Sequence, residues 1–227
     1  MRRLWMAGLS AAWLLLFPEF AGAQATGYPG GVKPGKVLVT GENPVIRLLD
    51  KAGGSTLASA SYWRIVWSPA GPGHVCYLTT GDGKSPGDLR LALVDNRKLY
   101  DFLTTNIMTT LDRAIPERPF KVAPATFVDS GQGTFAASGA MKDRRVTCKS
   151  ARYAVTLVWS DFYEPFQLDT AVGGPGSTLS VCSLFIPAKM GTILLNGKKA
   201  PGSVYPQSRG PAQSSTAFLA FSESWVK

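Results

Sequence analysis

One histidine in 227 residues sets the first limit on this chain. His74 alone cannot build the histidine-rich ligand sets that zinc centres use. It would have to serve as the base of any Ser–His or Cys–His pair. It follows Gly71-Pro72-Gly73 at the start of a strand-like run, where a structural histidine is the ordinary outcome. Cysteine is almost as scarce. Cys76, Cys148 and Cys182 stand far apart, so no metal-ligand or Cys-x-x-Cys spacing exists. No Gly-x-Ser-x-Gly elbow frames a nucleophile. Beyond the N-terminus no stretch approaches the ~20 apolar residues of a transmembrane helix. There is no internal repeat and no compositional shift to mark a domain boundary. Neither a cofactor nor a metal is expected.

One stretch imitates a nucleotide site. "TTGDGKSPGD" (79–88) contains Gly83-Lys84-Ser85, the way a phosphate-binding P-loop ends. The motif needs a glycine five positions before Gly83, and Leu78 stands there. It also needs a helix starting at the Lys-Ser end, to aim its N-terminal N–H groups at phosphate. Pro86-Gly87 follows instead. The stretch reads as a polar loop, and no nucleotide partner is expected.

What the chain does have begins at residue 1. Arg2 and Arg3 precede an apolar run from Leu4 to Phe17, and Ala21-Gly22-Ala23 provides small residues for cleavage. That order predicts a secretory signal peptide over residues 1–23, with Ala25 as an alternative cut, and a periplasmic or secreted protein. Residues 24–35 are rich in Gly and Pro and read as an extended leader. Residues 36–227 read as a single β-rich domain, ample in length for a core. Lys and Arg total 24 against 15 Asp and Glu, net +9, and the expected signal peptide removes only Arg2, Arg3 and Glu19. A surplus of this kind favours anionic surroundings.

In an oxidising compartment two of the three cysteines can pair. Sequence cannot choose among the three pairings. Cys148 with Cys182 is the most local and is favoured here, with Cys76 left over. In "RRVTCKS" Val146 and Cys148 share a parity opposite Arg145, Thr147 and Lys149, which turns Cys148 inward if the segment is a strand.

Short strand-like runs separated by turn clusters recur along the chain, beginning "KVLVT", "PVIRLL", "SYWRIVW" and "HVCYLTT". Their spacing predicts hairpins and an antiparallel sheet. Tyr153, Val155, Leu157 and Trp159 alternate onto one face, and Asn196-Gly197 signals a two-residue hairpin. Residues 200–215 read as a long Pro- and Gly-rich loop. One segment has helical period: Leu99, Phe102, Leu103, Ile107 and Leu111 recur at intervals of three and four. It predicts an amphipathic helix over about 96–112, capped by Asp95 or Asn96 and ended before Pro116. The fold expected is mainly β, an antiparallel sandwich or barrel with one packed helix.

Two stretches carry candidate binding residues. In "VWSDFYEPFQLD" Trp159 and Tyr163 interleave with Asp161 and Glu164, and aromatic faces beside carboxylates suit a sugar ring or a cation. A strand corner with its aromatics in the core accounts for the same pattern. In "KDRRVTCKSAR" Lys142, Arg144, Arg145, Lys149 and Arg152 concentrate positive charge, which could hold an anionic group or simply protect a sheet edge. The function expected is an exported, non-enzymatic binding or envelope-associated protein. Its basic surface would take an anionic envelope component, a glycan or a protein partner. Nucleic acid fits poorly, for want of a recognisable module. A small-ligand carrier with a closed β-barrel, lined by residues such as Trp63 and Trp67, is the alternative. A carbohydrate-active enzyme using Asp161, Glu164 or Asp169 is a third.

Overall fold

The computed structural model describes residues 35–81, 88–114, 126–128, 134–139, 143–172 and 178–227. The expected signal peptide, nearly all of the leader, the Gly83-Lys84-Ser85 loop, Pro116 and Lys142 lie outside them.

The chain is mainly β, as its alternation predicts. In order come β1 (Val37–Glu42), β2 (Val45–Leu49), β3 (Thr56–Trp67), β4 (Gly73–Thr80) and β5 (Arg90–Val94). The helical segment follows. Then come β6 (Thr126–Val128), β7 (Thr134–Ser138), β8 (Asp143–Lys149), β9 (Ala154–Phe162) and β10 (Phe166–Val172). The last are β11 (Leu179–Leu195), β12 (Lys198–Lys199), β13 (Pro206–Arg209), β14 (Ala212–Ser215) and β15 (Ala217–Val226). All but β13 and β14 belong to one 13-stranded sheet, whose main path runs β6-β5-β4-β3-β1-β15-β11-β9-β8-β7.

This sheet curls on itself. Alternate residues of β2 to β5 and of β8, β9, β11 and β15 point into one shared core, so the two halves form facing walls. Ile46, Leu48, Ala58, Ala60, Tyr62, Cys76, Leu78 and Leu93 come from the first wall. Val146, Cys148, Val155, Leu157, Trp159 and Ile193 come from the second. Val155, Leu157 and Trp159 share the inward face that their parity predicts. Each large side chain buried this way contributes about 2–3 kcal/mol. Closure depends on the chain ends. β1 pairs with β15, from Val37 opposite Val226 to Gly41 opposite Glu223. Lys36 and Lys227 exchange backbone hydrogen bonds of 2.9 and 3.0 Å.

The helical segment covers the outer face of β3, β4 and β5. It runs as α1 (Arg97–Leu103), a π-helical turn (Thr104–Met108) and α2 (Thr109–Ala114). Leu99, Leu103, Ile107 and Leu111 are buried beside Trp63, Ile65, Val75, Ala92 and Trp225. Their spacing is four residues, whereas an α-helix turns in 3.6, so a straight helix would rotate this stripe off the sheet by about 40° per step. The wider π turn takes up that drift and keeps the stripe facing the sheet. Asn96 rather than Asp95 is the cap: its Oδ1 accepts from the Leu99 N–H at 3.1 Å. Its Nδ2 donates to the carbonyls of Ala70 and Pro72, anchoring the preceding loop.

Three details depart from the antiparallel, loop-rich expectation. β5 and β6 pair in parallel, because the helix between them acts as a crossover connection. Residues 200–215 are not a plain loop: β13 and β14 form their own hairpin there, from Pro206 opposite Ser215 to Arg209 opposite Ala212. Arg209 lies 5.3 Å from the ring centres of both Phe185 and Phe218, which fixes the hairpin over a small outer apolar cluster. The aromatic stretch after β9 is a bulge in a long hairpin with β11. Phe162 pairs with Ala188 and Phe166 with Phe185, so three residues oppose two. The turn at Asn196-Gly197 behaves as its sequence predicts, with positive φ at both residues (49° and 80°) and Leu195 opposite Lys198.

Replacing Asn96 by alanine removes the cap and both loop anchors. It should lower stability by about 2 kcal/mol. Chemical denaturation should show a lower midpoint at an unchanged denaturant slope.

Candidate functional site

Polar side chains collect at one end of the inner core, where the walls meet solvent. Each strand contributes a residue of inward parity. In β1 and β3 Glu42 stands opposite Arg64, and in β3 and β4 Arg64 stands opposite His74. Val75 opposite Val94 brings His74 next to Asp95 at the end of β5. The result is a row, Glu42–Arg64–His74–Asp95, across four neighbouring strand ends. Arg144 of β8 completes it from the facing wall.

Glu42 is the hub. Its Oε1 accepts from Arg64 at 2.8 Å, and its Oε2 accepts from Arg144 Nη2 at 3.0 Å, so one carboxylate joins both walls. Its side chain is 13% exposed and Arg144's is 19%, whereas Arg64's is 48%. The Glu42–Arg144 pair is therefore shielded from water, and the Glu42–Arg64 pair is not. Arg144 also lies 5.9 Å from the Phe221 ring centre.

His74 and Asp95 form a second unit. The His74 backbone N–H donates to Asp95 Oδ1 at 2.6 Å, and the ring Nδ1 contacts Oδ2 at 2.5 Å. A carboxylate can only accept, so Nδ1 carries the proton. Burial opposes ionisation of Asp95, but the hydrogen bonds from the His74 side chain and backbone outweigh it and hold the carboxyl below its ordinary range. The imidazole stacks on Phe135 of the facing wall at 5.0 Å and on Tyr62 at 6.0 Å. Burial pushes the Tyr62 phenol above its ordinary value, and the nearby Cys148, Glu42 and Cys76 add to this. Aspartate and imidazole are thus oriented as in a hydrolase dyad, but the ring faces are occupied by aromatics. Among the described residues no group of three or more His, Cys, Asp or Glu could hold a metal.

The sequence-predicted residues divide sharply. Trp159 is wholly buried, and its indole N–H donates to the Val45 carbonyl at 2.9 Å, so its face belongs to the core. Asp161, at positive φ (52°), accepts from Lys189 Nζ at 2.9 Å, and the same ammonium sits 5.3 Å from the Tyr163 ring centre. Glu164 is exposed in the bulge. The aromatic corner is thus occupied by the chain's own tryptophan contact and lysine. Within β8, Arg144 faces inward with Val146 and Cys148, while Arg145 and Lys149 face outward. β8 is paired on both sides, so its basic residues do not protect a sheet edge; the edge is the uncharged β7.

The favoured Cys148–Cys182 pairing is corrected: the structure joins neither of them to the other by a disulfide. Cys148 lies in the inner core with Cys76. Cys182 lies elsewhere, on β11 opposite Asp169 of β10.

A second polar region lies at the opposite end of the second wall. The turn at 150–153 is closed by Ser150 and Tyr153, whose backbone groups bond at 2.8 Å. Asn196 ties it to the β11–β12 hairpin. Its Oδ1 accepts from Ala154 N–H at 2.7 Å, and its backbone N–H donates to the Ala154 carbonyl at 2.8 Å. The two turns together place Lys149, Arg152, Lys198 and Lys199 at one end of the wall, all exposed. Register sets Lys199 opposite Leu194, Leu194 opposite Thr156 and Thr156 opposite Thr147. Lys149, two residues along from Thr147, therefore shares an outer face with Lys199, about 15 Å across at ordinary strand spacing. No ion pair among the described residues engages these four cations. Lys198 and Lys199 were missed in the sequence because they lie far from residues 142–152. The signal was available in "NGKK", whose hairpin fixes where both lysines go.

Comparison with protein-family models, with curated proteins and with solved structures finds no match to this chain.

Two outcomes follow from the polar row. Glu42→Gln leaves Arg144 shielded and unpaired and should cost about 2 kcal/mol, whereas Arg64→Ala, at an exposed pair, should cost under about 1 kcal/mol. Equal losses in denaturant titrations would show that the row is not organised around the Glu42–Arg144 contact. For Asp95, a lowered folded-state value means its stabilisation is present above the unfolded value of about 4 and disappears as pH falls through the folded one. Asp95→Asn should therefore be less stable than wild type at neutral pH, and the gap should close in acid below about pH 4.

Proposed function

We propose that this chain is an exported, non-enzymatic binding protein that attaches to an anionic envelope component through the outer face of its second wall. The observation that carries this reading is the joining of two basic turns by Asn196. It collects Lys149, Arg152, Lys198 and Lys199 at one end of the sheet, with Lys149 and Lys199 on the outer face and Arg145 further along that face. An array of exposed cations with no ion pair among the described residues, Arg152 resting on the Tyr153 ring, matches a surface that repeats negative charge, such as acidic lipid headgroups, lipopolysaccharide or an acidic glycan. Two further features support a binding role over a catalytic or carrier one. Asp161 and Trp159 are engaged by Lys189 and Val45, which argues against their serving as an aromatic-carboxylate pair for a sugar. Large side chains such as Tyr62, Leu157 and Trp159 fill the space between the walls, where a carrier would keep room for its ligand. In this reading the N-terminal order of arginines, apolar run and small residues directs export to the periplasm or beyond.

The test is retention on vesicles containing acidic lipid, on lipopolysaccharide and on an acidic polysaccharide, against neutral controls. Binding should weaken steeply with salt. Charge reversal of Lys149, Arg152, Lys198 and Lys199 together should weaken it at least about a thousandfold, since loss of each cation near an anionic surface costs ~1 kcal/mol. Salt-independent retention, or unchanged retention by the reversed variant, would exclude this surface.

A further inference from the structure

Cys76 and Cys148 play no part in the basic face, yet the fold brings them together from opposite walls. Cys76 lies on β4 directly opposite Tyr62 of β3. Cys148 lies on β8 directly opposite Phe135 of β7. The Tyr62 and Phe135 rings stack across the core, 6.5 Å apart, and His74, two residues before Cys76, stacks on the same Phe135. The strand partners of the two cysteines thus meet across the core that both thiols enter. Both cysteines are wholly buried in the inner core.

We propose that Cys76 and Cys148 are a disulfide site that locks the two walls together, with Cys182 outside the bridge. A covalent link between facing sheets is an established solution in β-sandwiches. This one would tie the β3–β4–β5 wall to the β7–β8–β9 wall. The segment it spans contains the helix and the crossover to β6, so the loop it closes in the unfolded chain is long.

The chemistry is thiol–disulfide exchange with a small-molecule disulfide as oxidant. One cysteine thiolate attacks the small disulfide, forming a mixed disulfide and releasing one small thiol. The second cysteine attacks the protein sulfur of that intermediate and releases the other small thiol. The protein loses two hydrogens and two electrons, which leave on the two small thiols. The timing follows from burial. Burial first, and the neighbouring Cys76 next, push the Cys148 thiol well above its ordinary value. A neutral, enclosed thiol is a poor nucleophile. The bond therefore forms while the walls are closing, not after.

The test is refolding of the full chain from reduced denaturant in a glutathione redox buffer, followed by alkylation and peptide mapping. The expected product joins the Cys76 and Cys148 peptides and leaves Cys182 alkylated. Cys182→Ser should give the same bridge and no remaining free thiol. Refolded protein with three alkylated cysteines, or a bridge that includes Cys182, overturns the proposal. So does loss of the bridge in the Cys182→Ser variant.

Discussion

Pairing between the first strand and the last holds the architecture together. β1 and β2 run as one bent path between β3 and β15, and among the described residues only they make the N-terminal strands continuous with the C-terminal ones. Without that seam the molecule would be two sheets with no shared edge. With it, one sheet curls far enough for Tyr62, Cys76 and Leu78 to face Val146, Cys148 and Leu157. The seam joins residues at opposite ends of the chain, so its loop-closure entropy must be overcome before its contacts contribute. Gly41 is fitted to it: a Cβ there would sit 2.1 Å from the Arg64 carbonyl oxygen.

Curling also decides where polar groups can go. A residue of inward parity is buried in the middle of a strand but reaches solvent at its end. Glu42, Arg64, His74 and Arg144 occupy such ends, and each meets a partner from a neighbouring strand or the facing wall. Their pairing satisfies charges that the closing walls would otherwise desolvate at considerable cost. The outer face of the second wall works by the opposite logic. Its cations stay in water, where lacking an ion pair among the described residues costs little and leaves them open to an external anion.

Much of the fold was legible in local pattern. Alternation marked the inward face of β9, Asn-Gly marked the β11–β12 turn, and apolar spacing marked the helix. Even the π turn has a sequence trace, since a strict spacing of four cannot follow a straight α-helix. The candidate residues were less legible. Trp159 and Asp161 look available beside one another in the sequence, yet one is a core residue and the other a lysine's partner. Arg144 and Arg145 are neighbours in a basic run, yet the strand's period sends one inward to Glu42 and the other to solvent. Burial of an individual aromatic or charge depends on what packs against it, and that is a property of the facing wall.

The sequence by itself determined the class of structure: periods of two and near four, turn chemistry at glycines, and a strongly basic balance. These are local quantities, set by backbone sterics and side-chain polarity over a few residues. Tertiary structure alone decided the groupings: Glu42 with Arg144, His74 with Phe135, Asn196 with Ala154, and Cys76 with Cys148 in place of the nearer Cys182. Each unites positions distant along the chain, and no local preference specifies which strand becomes another's neighbour. That choice falls to burial of one continuous inner face, which only the closed sheet provides.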